Sequence, residues 1–70
     1  MELHLRVSKN LTELLKQSHK TQAQIAREVG IDPSAITEFK QGISLPRLIT
    51  FVKLCQALDC TYDEILGKQE

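Results

Sequence analysis

The chain has 70 residues, 41% of them hydrophobic, with 9 basic and 9 acidic side chains and a formal net charge of zero. So short a chain reads as one domain, residues 1–70, and buries only about 60% of the surface its unfolded form exposes, which disfavours an enzyme with a deep substrate pocket. Zero net charge argues mildly against nucleic acid, yet residues 1–58 carry 8 basic and 5 acidic side chains and residues 59–70 carry 1 basic and 4 acidic ones, so the body is basic and the tail acidic.

The first predicted element places Leu3, Val7, Leu11, Leu14 and Leu15 at helical steps, the spacing of an amphipathic helix. It fades near Ser18, His19 and Lys20; it starts either before Leu5 or, with Ser8 as cap, later. The second opens at Thr21 with Gln24 three residues on, a capping box, buries Ile25, Ala26 and Val29, and stops at Gly30. The third opens at Asp32-Pro33, with Asp as cap and Pro in the first turn, and ends at Gly42. The fourth follows Pro46; Leu48, Phe51, Val52, Leu54, Cys55 and Leu58 give it a wide apolar face and predict the most buried helix. The fifth opens on a second capping box, Thr61 to Glu64, carries Ile65 and Leu66, and stops at Gly67. With no strand signal, the expectation is an all-α, compact five-helix bundle.

The second and third helices are joined only by Gly30, Ile31 and the cap Asp32. A connection that short forces a steep crossing, and the small Ala26 suits the point of approach. Ile31 is expected to enter the core, with Ile36 and Phe39 anchoring the third helix from behind. At about 100° per residue, Ser34, Thr37, Glu38 and Gln41 then face away from that anchor. A polar helix face on a rigid core can enter the DNA major groove and read base edges. Gln22, at a helix start whose N–H groups lack partners, is placed for phosphate.

The stretches TQAQIAREVGIDPSAITEFKQG and LPRLITFVKLCQALDCTYDEIL resemble the lambda-repressor-like, Cro-type (XRE) helix-turn-helix family, over about residues 10–66. The resemblance makes Ala26, Gly30, Ile36 and Phe39 structural markers of a motif at residues 22–41. It implies a sequence-specific, double-stranded-DNA-binding transcriptional regulator, a repressor by preference, acting in the cytoplasm as a homodimer on a near-palindromic operator. Carried over by position, Pro33, Ser34, Thr37 and Glu38 face bases, with Gln41 on the same side; Thr21, Gln22, Lys40, Ser44 and Arg47 lie near phosphates. Many relatives pair an arginine at the position of Leu15 with a glutamate at that of Lys40. Here both are absent, which predicts a free Lys40. Asp59 stands where relatives often carry glycine, which predicts a left-handed backbone.

Cys55 and Cys60 are too few for a disulfide framework and form no CxxC pair, and His4 and His19 complete no recognisable zinc set. Both cysteines read as small core residues. No signal peptide or membrane span is evident, and no nucleophile–base pair, metal set, phosphate loop or cofactor motif suggests an enzyme or a small-molecule ligand. The alternative reading is a protein-interaction module or antitoxin-like partner that keeps the fold. Its support is the neutral charge, the acid Glu38 on the reading face, and the apolar loop at Ile43 and Leu45. Ile43, Leu45 or Ile49, with any exposed remainder of Tyr62, Ile65 and Leu66, are the candidate dimer patch, although core packing alone explains these residues nearly as well.

Overall fold

Side-chain caps punctuate the chain. Thr21 accepts from the Gln24 N–H at 3.1 Å while Gln24 Oε1 accepts from the Thr21 N–H at 2.7 Å; Thr61 and Glu64 repeat the exchange. Asp32 caps the next helix through the Ser34 N–H at 3.2 Å. A computed structural model, which describes residues 3–67, accordingly has five helices and no strand among those residues. They are α1 (Leu3–Gln17), α2 (Gln22–Val29), α3 (Pro33–Gln41), α4 (Leu48–Leu58) and α5 (Tyr62–Leu66). No helix in this range is long and apolar enough to cross a membrane.

Glycine ends α2 and α3 for a conformational reason. Gly30 has φ 85° and Gly42 φ 76°, the left-handed region in which a Cβ is penalised. Asp59 closes α4 at φ 54° and ψ 50°, as its position predicted.

Eight buried residues form the main core: Leu11 from α1, Ile25, Ala26 and Val29 from α2, Ile36 and Phe39 from α3, and Leu54 and Ala57 from α4. Ile31 packs against them from the turn, as expected. A second cluster joins Val7, Cys55 and Ile65, tying α5 to α1 and α4. Asn10 reinforces it by donating from Nδ2 to the Ile65 carbonyl at 2.8 Å. α1 packs on both α3 and α5, and α2 packs on both α3 and α4. The acidic Asp63 and Glu64 therefore ride on an element that has no extensive interface with α3.

Of the two starts open for α1 the one before Leu5 holds, and one expectation, for α4, needs correction. Ser8 caps nothing: α1 is already helical at Leu3, and the Ser8 hydroxyl instead donates to the Lys40 carbonyl, holding the end of α3. Nor is α4 buried along its whole apolar face. Leu48 is 79% and Ile49 65% exposed, and α4 buries only Leu54, Cys55 and Ala57, no more residues than the shorter α2, so it is not the most buried helix.

The two cysteines form the apolar contact across the end of α4, where the Cys60 N–H donates to the Cys55 carbonyl at 3.0 Å. Burial pushes the Cys60 thiol up to about 12, and the neighbouring Cys55 adds to the effect. A raised thiol pKa means the folded chain keeps a proton that the unfolded chain releases. Its stabilising contribution is therefore complete below the ordinary thiol value of 9.0 and is lost as pH rises towards about 12. Thermal melts of wild type and Cys60→Ser are expected to converge across that window, wild type losing more. Parallel melting curves would show that Cys60 titrates alike in both states.

Candidate nucleic-acid interface

The outer side of α3 is set by its inner side. Ile36 is fully buried and Phe39 nearly so, which turns Ser34, Glu38 and Gln41, with Pro33 at the first position, out to solvent. Thr37 sits half-buried on the flank nearest α2. These residues form one polar strip about two helical turns long, backed by the main core. That strip is what helical rotation predicted.

The side-chain hydrogen bonds on that flank were not foreseen. Gln22 Nε2 donates to the Pro33 carbonyl at 3.0 Å and to Thr37 Oγ1 at 2.8 Å. Lys40 Nζ donates to Gln22 Oε1 at 2.9 Å. Gln22 therefore does not hold its side chain out for phosphate, because both amide hydrogens are spent on α3. Lys40 is likewise not the free lysine that the loss of a charged partner predicted; an amide oxygen has taken the partner's place. Together Gln22, Pro33, Thr37 and Lys40 clamp α2 to α3.

The α2 terminus still offers backbone donors. The first N–H groups of any helix have no intrahelical acceptor, and the Thr21 hydroxyl caps only that of Gln24. Thr21 is exposed, so its own hydroxyl hydrogen can also reach an anion. Beyond α3, Ser44 is half-buried and Arg47 exposed. Arg47 is the N-cap residue of α4 and makes no side-chain cap bond, so its guanidinium is not consumed there.

Sequence reasoning missed Ser8 and Lys20. Ser8 fixes the end of α3 from α1. Lys20, on the turn before α2, donates to Glu28 at 2.8 Å and to the Ala57 carbonyl at 2.9 Å, joining that turn to α2 and to the end of α4. Ser8 carried only the signal of a candidate helix cap, and a Lys at a polar position looks like solvated surface.

A family model described as helix-turn-helix matches residues 6–65. The chain belongs to that family. α2, the turn at Gly30 and α3 are its eponymous unit, embedded in a bundle that the match spans almost entirely. A similar curated protein is the cryptic phage CTXphi transcriptional repressor RstR of Vibrio cholerae, 33% identical over 64 residues, which is 91% of this chain. The chain spans 57% of that relative's length. Among solved structures, the solution structure of the SOS-response transcriptional repressor LexA from Eubacterium rectale superposes with a TM-score of 0.85. It covers 97% of this chain and 72% of that one at 24% identity, a likeness of fold. The helix-turn-helix and the three helices that brace it are thus a shared scaffold.

Proposed function

We propose that this chain is a sequence-specific double-stranded-DNA-binding transcriptional repressor that lays α3 in the major groove. The observation that carries this reading is the exposed polar strip of α3, held rigid by Ile36 and Phe39 beneath it. Pro33, Ser34, Thr37, Glu38 and Gln41 would face bases. Thr21, the free N–H groups of α2, Ser44 and Arg47 would contact phosphates, while Gln22 and Lys40 act mainly by holding α3 in place. The resemblance to a phage repressor supports the direction of regulation. With Glu38 on the strip and no excess of positive charge, contact by one copy is weak, and two copies on a near-palindromic operator make up the difference. Exposed Ile43 and Ile49 offer apolar surface for that pairing. The working compartment is the cytoplasm, where duplex DNA is found.

Selection from random duplex DNA tests this reading. A short enriched site is expected, with binding that weakens steadily as salt rises, because each neutralised phosphate releases counterions. No enrichment, or retention indifferent to salt, would contradict it and favour a protein-binding module. Within the same assay, Arg47→Ala is expected to weaken enriched and random duplexes by a similar factor and to lower the salt slope by about one. A change in sequence preference would move Arg47 from the phosphate set to the base set.

A further inference from the structure

We propose that Lys40, acting through Gln22, sets the hydrogen-bond polarity of Thr37, making it a donor to a base that offers an acceptor in the major groove. This inference deepens the DNA-binding reading above and rests on it.

An ammonium group has donors and no acceptor. Lys40 Nζ at 2.9 Å therefore requires Gln22 to present Oε1 to it. That leaves Gln22 Nε2 on the other side, where its two hydrogens go to the Pro33 carbonyl at 3.0 Å and to Thr37 Oγ1 at 2.8 Å. Thr37 must therefore accept on its inner side. Among the described residues its own hydroxyl hydrogen has only the Pro33 carbonyl within reach, at 3.5 Å. That is far longer than the usual O–H···O distance of about 2.7–2.8 Å, and the same carbonyl already accepts from Gln22. The hydrogen is free to turn outwards beside the second lone pair, and the bond accepted from Gln22 makes the hydroxyl a better donor and a poorer acceptor there; Thr37 stands on the half-exposed flank of the strip. The positive charge at the head of the chain polarises each bond in turn and strengthens the final donor. The partner is then purine N7, guanine O6 or thymine O4. Its neighbour Glu38, a carboxylate, can only accept, so adjacent positions demand opposite polarity from the DNA.

The test compares wild type, Thr37→Val and Lys40→Met on selected duplexes. Thr37→Val is expected to erase preference at one base pair, where wild type selects a base with a major-groove acceptor. Deleting that acceptor is expected to weaken wild type about tenfold and Thr37→Val not at all. The analogues are 7-deazapurines for N7, 2-aminopurine for guanine O6 and 5-methyl-2-pyrimidinone for thymine O4. Lys40→Met is expected to lower preference at that same pair and leave the other positions as they were.

Equal weakening of every duplex by Lys40→Met would overturn the proposal in favour of a phosphate contact. So would selection of a base that offers Thr37 only a donor. Nuclear magnetic resonance of the free chain supplies an arm that needs no DNA. The Gln22 side-chain amide protons should exchange slowly in wild type and shift in Lys40→Met; insensitivity to Lys40 would break the chain at its first link. A wild type that enriches no duplex would instead defeat the DNA-binding reading, leaving the amide result to judge the clamp by itself.

Discussion

Ile36→Ala is expected to destabilise the fold by about 2–5 kcal/mol, the range for emptying a fully enclosed aliphatic site. Ile36 has no exposed surface and lies among Leu11, Ile25 and Leu54. A 70-residue domain holds only about 4–10 kcal/mol in total, so the loss removes about half of it and leaves the variant mostly folded unless the total lies near the low end. The effect reaches function because α3 has just two buried residues, Ile36 and Phe39. Removing one loosens the element that carries the polar strip. Urea titration followed by circular dichroism measures the loss, and Ile36→Val should cost only about 0.5–1.5 kcal/mol. An Ile36→Ala loss below about 1 kcal/mol would mean the core closes over the gap, and that α3 is held mainly by the Gln22–Lys40 clamp.

Ser34→Glu separates binding from stability in the opposite way. Ser34 is exposed in the first turn of α3, where a carboxylate gains about 0.3–1 kcal/mol from the positive end of the helix dipole, offset in part by loss of the hydroxyl's bond to Asp32 Oδ1 at 3.2 Å. On the reading face the same charge opposes the phosphates and occupies space meant for a base edge. Specific affinity is expected to fall about a hundredfold, near the upper end of what one good base contact is worth. Melting and competition binding on the same preparation read both quantities. A variant that melts higher and still binds its site as wild type does would remove Ser34, and the α3 amino terminus with it, from the interface.

These predictions draw unequally on what the sequence reveals. Caps and stops were legible because their chemistry is local. Thr21 with Gln24, Asp32 with Pro33, and Gly30 each involve neighbours along the chain, and each adopts the expected conformation; Asp59 was expected from the family resemblance. The buried side of α3 was legible for the same reason, since helical rotation alone places Ile36 and Phe39 opposite Ser34 and Gln41.

What escaped depends on which element arrives across the gap. Leu48 belongs to the apolar pattern of α4 yet stands 79% exposed, because the pattern records chemistry and not whether a neighbour reaches that turn. Gln22 and Lys40 lie 18 residues apart. Their bond exists only because the turn at Gly30 brings the start of α2 beside the flank of α3. Ser8 and Lys40, 32 residues apart, meet for the same kind of reason. Charge and polarity alone suggested two solvent-facing groups; packing made them a clamp.

The central claim is that the outward strip of α3 meets DNA. It is tested most directly by mapping backbone amide shifts as the chain is titrated with the duplex it selects. The changes are expected to concentrate at Gln22 and Ala23, along α3 from Ser34 to Gln41, and between Ser44 and Arg47, with α5 quiet. Shifts gathered instead on α5 and the outer side of α1, with Ser34, Thr37 and Glu38 unmoved, would contradict it.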